Sequence, residues 1–152
     1  MESTLILKEE NFNKIKEEIK KNRGKKIIFS SNDDELNKMI LEKENIDILL
    51  LNQSNRRDFL KQRNSGFNQV LAKLAKKNNV AVGINLDEII NSFGSKKSDI
   101  LGRISQNIKL CNKNKVNMKF IFAEKENKKN IHDLKSLGLV LGMPTWMTKS
   151  LK

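Results

Sequence analysis

The chain has 152 residues, of which 38% are hydrophobic and 32% charged, a balance that suits one folded domain over residues 1–152 and disfavours wholesale disorder. Thirty lysines and arginines stand against eighteen aspartates and glutamates, so the formal charge is +12. This charge attracts polyanions, with nucleic acid as the first candidate and an anionic membrane or an acidic protein after it. Part of the lysine content also fits drift in an AT-rich coding sequence, which would carry no function.

The cysteine content and the start of the chain indicate the compartment. A single cysteine, Cys111, excludes an internal disulfide, and its helical pattern predicts a small apolar core residue in a reducing environment. No stretch approaches the roughly 20 apolar residues that span a bilayer. Residues 1–5 lack the basic segment and apolar run of a signal peptide. We therefore expect a cytoplasmic protein.

Apolar runs alternate with helical patterns through the first half of the chain. The runs at residues 4–7, 26–29 and 46–51 predict strands. Asn32 and Glu35 have the spacing of a capping box, which would begin the second of two intervening helices. The apolar positions of those helices are Phe12, Ile15, Ile19, Leu36, Met39 and Ile40.

The second half continues the alternation. Strands are predicted at residues 80–84 and 118–122, with a short final strand at residues 139–141. Asn85 and Glu88 repeat the capping-box spacing. Helices are predicted around the apolar positions Phe67, Val70, Leu71, Leu74, Ile89, Ile90, Ile100, Leu101, Ile104, Ile108, Cys111, Ile131, Leu134 and Leu137.

This alternation predicts an α/β fold with a mostly parallel sheet covered by helices on both faces. About six βα units can be counted, whereas a complete eightfold barrel needs about 250 residues, or about 200 at the lower end. We therefore expect a truncated or partly open TIM-like barrel, with an ordinary doubly wound sheet as the alternative. Ile48, Leu50, Val82 and Ile121 are predicted to be buried.

Sites of catalysis are not evident in the sequence. One histidine, His132, and one cysteine cannot build a zinc site of the usual composition, and both phosphate-loop and dinucleotide-binding glycine motifs are absent. His132 opens a polar helix, where a solvated or capping role is favoured. Of the acidic residues near strand ends, all but Asp58 fall in first turns of helices, where negative charge is stabilising. The acidic residues near strand ends that could in principle hold magnesium are Asp33, Asp34, Asp58, Asp87 and Glu88.

The unusual segment is the loop of residues 52–68, NQSNRRDFLKQRNSGFN. It follows the most hydrophobic predicted strand, so it lies at the carboxyl end of the sheet, where ligands usually bind. Arginine can grip phosphate with two hydrogen bonds, and an aromatic ring can stack on an unpaired base. The loop therefore predicts an RNA-binding surface, with a solvated charged loop as the alternative. Its candidate residues are Arg56, Arg57, Phe59, Lys61 and Arg63.

Four segments carry a family resemblance. Residues 55–58 (NRRD), 65–75 (SGFNQVLAKLA), 79–86 (NVAVGINL) and 132–143 (HDLKSLGLVLGM) resemble, in order and spacing, the signature of the archaeal ribonuclease P protein component 3 (p30) family. The similarity extends over roughly residues 25–147. The family pattern places a histidine where this chain has Gln69 and an arginine where it has His132. Residues 59–64 are inserted, and one or two N-terminal βα units are missing.

The resemblance implies a barrel of the PHP type, related to metal-dependent phosphoesterases but without their metal site. It implies a protein that assists a catalytic RNA in removing the 5′ leader of precursor tRNA, with magnesium bound through the RNA and no cofactor in this chain. It also implies pairing with a small ferredoxin-like subunit, possibly as a heterotetramer. Arg56, Arg57 and Lys73 would contact RNA, and Asp58 and Asp133 would be structural acids.

The sequence therefore leaves three hypotheses for the function. The preferred hypothesis is a non-catalytic RNA-binding subunit of the ribonuclease P endoribonuclease. The alternatives are a stand-alone metal-dependent phosphoesterase or nuclease, and a generic basic α/β module of the ribosome-associated kind. A phosphoesterase would need several strand-end carboxylates to converge with histidines, and the sequence offers too few of either.

Overall fold

The computed structural model describes residues 3–152, and its centre is a parallel sheet of five strands in the order β1-β2-β3-β4-β5. Each strand pairs with the next along the chain, so Leu5 lies beside Ile27 and Leu49 beside Val82. Continuous apolar runs with β-branched residues form these strands, as the sequence predicts. The strands are Thr4–Leu7 (β1), Lys26–Phe29 (β2), Ile48–Leu51 (β3), Ala81–Asn85 (β4) and Met118–Ile121 (β5).

Helices connect the strands, and asparagine or aspartate side chains cap most of them by accepting backbone N–H bonds in the first turn. The capping residues are Asn11, Asp33, Asn68, Asn85 and Asn130. The helices are Phe12–Lys21 (α1), Asp34–Lys43 (α2), Gln69–Lys77 (α3), Leu86–Asn91 (α4), Gly94–Asn114 (α5), Ile131–Leu141 (α6) and Thr145–Lys149 (α7), with a 3-10 turn at Lys125–Asn127.

The helices cover one face of the sheet, which we call the outer face. Outward side chains such as Phe29, Leu49 and Val82 are fully buried against them in the main core. On the inner face a small cluster forms from strand residues alone, with Ile28, Ile48 and Leu50 buried. The prediction of helices on both faces is therefore wrong. Right-handed crossovers between successive neighbouring strands place every connecting helix on the same side.

The predicted final strand at residues 139–141 is also wrong, because these residues form the last turn of α6. Gly142 ends that helix with a left-handed φ of 107°, and the N–H of Met143 donates to the carbonyl oxygen of Gly138 at 2.8 Å. This is a glycine-capped helix end. The sheet consequently has five strands rather than about six.

The predictions for the burial of individual residues are confirmed in part. Ile48, Leu50 and Val82 are buried as expected, whereas Ile121 is half-buried at the inner face. Among the apolar positions predicted for the helices, Val70 lies on α3 as expected, but its side chain is 63% exposed. Cys111 is a fully buried core residue, and burial raises the pKa of its thiol to about 12, so the thiol is unreactive at neutral pH.

The two predicted capping boxes form differently. Asp33, not Asn32, caps α2, since its carboxylate accepts the N–H bonds of Glu35 and Leu36. Asn85 caps α4 as predicted, but the Glu88 side chain binds a neighbouring loop instead of completing the box.

The expectation of a missing signal peptide rests in part on Met1 and Glu2, which lie outside the described residues. Between residues 3 and 152, no helix combines the length and the apolar character that a membrane crossing requires.

Candidate functional site

The 52–68 loop lies where the strands end, which we call the C-terminal edge of the sheet. Side-chain amides connect three neighbouring strands there. The amide of Asn52 donates to the hydroxyl of Ser30 at 3.0 Å and accepts from the amide of Asn85 at 2.9 Å. Beside this chain of hydrogen bonds, residues that include Lys8 and Arg57 line an open cleft of about 510 Å³. The loop therefore rests on a polar platform built by the sheet.

Arg56 anchors the first half of the loop. Its guanidinium makes a two-point contact with the carboxylate of Asp34, at 2.9 and 3.0 Å, and its Nε donates to the carbonyl oxygen of Asn52 at 2.6 Å. The side chain is only 10% exposed. Asp34 lies in the first turn of α2, where the helix dipole favours a negative charge. Arg56 therefore ties the loop to α2 in this conformation, and its proposed contact with RNA stays a prediction.

Gly66 makes that anchor possible. Its φ of 71° lies in the left-handed region, which glycine adopts without strain. A Cβ at this position would lie 2.5 Å from a guanidinium nitrogen of Arg56 and 2.9 Å from the Asp34 carboxylate. The backbone conformation therefore favours glycine, and a Cβ here would displace the guanidinium of Arg56 or the carboxylate of Asp34.

A second arginine, Arg103 of α5, binds the loop from the side of that helix. No sequence pattern indicated this role. It is 5% exposed and donates to the carboxylate of Asp58 at 2.9 Å, to the carbonyl oxygen of Gln53 at 3.0 Å and to that of Arg56 at 2.9 Å. Its position on a regular helical pattern is also typical of a surface cation. Arg103 lies 50 residues from Gln53 in the sequence, and only the tertiary structure brings the two together.

Asp58 joins two arginines. It accepts from Arg103 and from Arg63 at 3.1 Å, and one of its oxygens also accepts the backbone N–H of Asn64 at 2.9 Å. Desolvation acts to raise the pKa of Asp58. The Arg103 hydrogen bond, the Asn64 N–H and the two arginine charges outweigh it, so the pKa lies below the ordinary value of 3.8. Asp58 is therefore a charged structural acid at neutral pH.

Residues 59–64, an insertion according to the family resemblance, fold back onto α5. The side chain of Gln106 accepts the N–H of Arg63 at 3.3 Å and donates to its carbonyl oxygen at 3.0 Å. Arg63 also approaches Asp99 at 3.4 Å. The tip of the insertion stays in solvent, with Phe59 58% exposed and Leu60 fully exposed. The insertion therefore presents an apolar tip on a fixed base.

The sequence-predicted site residues separate into two groups. Arg56 and Arg63 are bound to carboxylates of the chain itself. Arg57 and Lys61 are exposed in the same loop as Phe59, and Lys73 is exposed on α3. The loop thus offers two solvent-facing cations and an aromatic ring, and the contact of all six residues with RNA stays a prediction.

The acidic candidates for a metal site all have structural partners. Asp87 accepts the N–H of Ala123 at 2.7 Å, and Glu88 accepts the N–H groups of Gln53 and Ser54 at 2.7 and 3.2 Å. Asp33 is a cap, Asp34 pairs with Arg56 and Asp58 with Arg103. Within the part of the chain that the structure describes, no three His, Cys, Asp or Glu residues are grouped so that they could hold a metal ion.

A model of the ribonuclease P subunit p30 family matches residues 5–150. The chain belongs to this family. Two relatives are ribonuclease P protein component 3 of Methanosarcina acetivorans, 36% identical over 74% of this chain and 45% of the relative, and of Methanocaldococcus jannaschii, 29% identical over 97% and 62%. A chain in the cryo-EM structure of archaeal ribonuclease P with mature tRNA superposes with a TM-score of 0.78 and 25% identity, covering 97% of this chain and 63% of that one.

The chain thus spans between 45% and 63% of the length of these p30 relatives. Within the p30 signature, Asp58 and Asp133 have the structural surroundings that the resemblance implies. Asp133 exchanges hydrogen bonds with Asn130 at the start of α6, each at 2.9 Å. His132, in the first turn of the same helix, is exposed.

Proposed function

We propose that this chain is a non-catalytic protein subunit of ribonuclease P that binds the ribonuclease P RNA and helps it remove the 5′ leader of precursor tRNA. The observation that carries the proposal is the p30 family match over residues 5–150, together with the likeness to a subunit of archaeal ribonuclease P. The charge of +12 fits a polyanionic partner. In this proposal the RNA binds the catalytic magnesium, and this chain needs no cofactor.

The packing of inner side chains around β4 supports a truncated TIM-like barrel, here with five βα units. Gly83 faces the inner side of β4, and a Cβ there would lie 3.1 Å from Ile48 and Leu50 and 3.2 Å from Ile121. Inner side chains from β3 and β5 therefore close over the strand between them, as in a barrel interior. An incomplete barrel leaves β1 and β5 as sheet edges, and such edges favour a protein partner that covers them. A ferredoxin-like ribonuclease P subunit is the partner that the resemblance implies.

RNA contact at the C-terminal edge would use the solvent-facing residues of the loop. Arg57 and Lys61 can neutralise phosphates, Phe59 can stack on an unpaired base, and Lys73 lies exposed on the neighbouring helix. Arg56 and Arg63 would act indirectly, since they hold the loop in place through Asp34, Asp58 and Asp99.

Substitution of the loop residues tests this part of the proposal. The double substitution Arg57→Ala, Lys61→Ala should flatten the slope of log affinity against log salt by roughly 0.7–0.9 for each phosphate that the protein no longer neutralises. Phe59→Ala should weaken binding by about 1–3 kcal/mol and leave that slope unchanged, because stacking releases no counterions. Fluorescence anisotropy of labelled ribonuclease P RNA over a potassium chloride series measures both quantities.

The control is Lys14→Ala, Lys109→Ala, which removes two exposed lysines from α1 and α5 and so makes the same change in net charge. Equal affinity and equal slope for the loop double variant and the wild type would show that the loop is a solvated charged surface. Equal reductions in the loop and control variants would point to overall charge rather than to binding at the loop.

A further inference from the structure

The opposite edge of the sheet, where the strands begin, has a large excess of positive charge among the described residues. We call this the N-terminal edge. Two adjoining clefts there, of about 770 and 210 Å³, share Asp47 and Asn79 in their linings. The cations of the larger cleft are Lys16, Lys20, Arg23, Lys25 and Lys43.

The smaller cleft adds four more cations, and they come from strands and helices that are far apart in sequence. Lys26 of β2 and Lys119 of β5 both line it from the inner face. Three strand spacings would separate their backbones by about 14 Å in a flat sheet, yet both side chains line one cavity. The cations of this cleft are Lys26, Lys76, Lys115 and Lys119.

Few carboxylates oppose these charges. Nine cations against Glu44 and Asp47 leave an excess of seven positive charges in the two linings. One oxygen of Asp47 already accepts the N–H of Ile27 at 2.7 Å. Among residues 3–152, none of the nine cations forms an ion pair with a carboxylate. Burial lowers the pKa of Lys119, and the charges of Lys26 and Lys152 lower it further, which agrees with a cluster of unpaired like charges.

Helix dipoles account for only part of this excess. α1, α2, α3 and α5 end at this edge, and each contributes about half a negative charge, or about two in all. About five positive charges remain without a compensating negative charge. By contrast, the cleft at the C-terminal edge contains three cations, Lys8, Arg56 and Arg57, against Asp34 and Glu88, so its lining has an excess of one.

We infer that the N-terminal edge is a phosphate-binding surface for the sugar-phosphate backbone of RNA. The inference rests on the proposed RNA binding and places its main electrostatic contact on the side of the sheet opposite the 52–68 loop. Of the described residues that line the two clefts none is aromatic, in contrast to the loop with its exposed Phe59, so the clefts suit backbone contact rather than base stacking. Asn45, Asn79 and Asn117 add amide groups that can bind phosphate or ribose hydroxyls.

A matched pair of variants tests the inference on the full chain. The edge variant is Lys20→Gln, Arg23→Gln, Lys76→Gln, three substitutions that span both clefts. The control variant is Lys14→Gln, Lys109→Gln, Lys129→Gln, which removes the same charge from exposed positions outside both clefts. Circular dichroism checks that both variants are folded. The probe is a fluorescein-labelled RNA hairpin, followed by anisotropy over a potassium chloride series.

The edge variant should flatten the slope of log affinity against log salt by about two to three, since each phosphate that is no longer neutralised lowers the slope by roughly 0.7–0.9. The control variant should keep nearly the wild-type slope. Wild-type behaviour of the edge variant, or equal reductions in both variants, would overturn the inference. A reduction in binding to labelled poly-L-glutamate larger than the reduction in binding to RNA would also overturn it and would indicate an acidic protein partner. Failure of the wild-type chain to bind RNA would instead contradict the proposed function.

Discussion

Replacement of Arg103 with methionine is expected to lower the free energy of unfolding by about 3 kcal/mol. Removal of one partner from a buried ion pair costs about 3–5 kcal/mol, because the remaining groups stay desolvated without a partner. Arg103 is 5% exposed and binds Asp58 and two backbone carbonyl groups of the loop. Asp58 is 28% exposed and keeps Arg63, so we expect the lower end of that range.

Urea unfolding of Arg103→Met and of the control Arg57→Met measures the difference. Arg57 is an exposed arginine of the same loop, and its replacement should change the unfolding free energy by no more than about 0.5 kcal/mol. The methionine at position 103 keeps the apolar volume of the arginine stem, so the measured decrease reports the hydrogen bonds. Equal stabilities of the two variants would mean that Arg103 does not anchor the loop.

Gly66→Ala is expected to lower the free energy of unfolding through two separate effects. A left-handed conformation costs an alanine roughly 1–2 kcal/mol. The new Cβ would also displace the guanidinium of Arg56, which lies 2.5 Å from its position, and so break a two-point contact with Asp34. Hydrogen bonds to charged groups contribute about 1.5–3 kcal/mol each.

Gly94→Ala separates the two causes. Gly94 also has a left-handed φ, 57° against 71° for Gly66, but a Cβ there meets no atom within 4 Å. Its replacement should therefore remove only the backbone contribution. Urea unfolding should place Gly66→Ala below Gly94→Ala by at least about 1 kcal/mol, somewhat less than one hydrogen bond to a charged group contributes. Equal stabilities would show that Arg56 moves aside without cost.

The strands and helices were predictable from the sequence because their patterns are local. Continuous apolar runs predicted all five strands, and 3.6-residue spacing predicted the long helix that contains Ile100, Ile104 and Ile108. The same local reasoning failed at residues 139–141. A short apolar run suits a strand or a helix equally, and here the helix continued to Gly142.

The charge distribution was not predictable, because it depends on contacts between distant residues. Three arginines close together in the sequence indicated a basic patch at residues 56–63. Asp34 and Asp99, which neutralise two of them, lie 22 and 36 residues away in the sequence. The cations of the N-terminal edge are spread from Lys16 to Lys119, so no window of the sequence reveals them as a group.

The most direct test of the proposed function is the rate at which ribonuclease P RNA removes the 5′ leader of a precursor tRNA. The rate is measured with the RNA and the other protein subunits of the same cell, with and without this chain, over a magnesium series. Addition of the chain should raise the rate, most strongly at low magnesium, where phosphate neutralisation by protein matters most. The chain with magnesium and no RNA should leave the precursor intact. Cleavage by the chain in the absence of RNA, or a rate that the chain does not change, would contradict the assignment as a non-catalytic subunit.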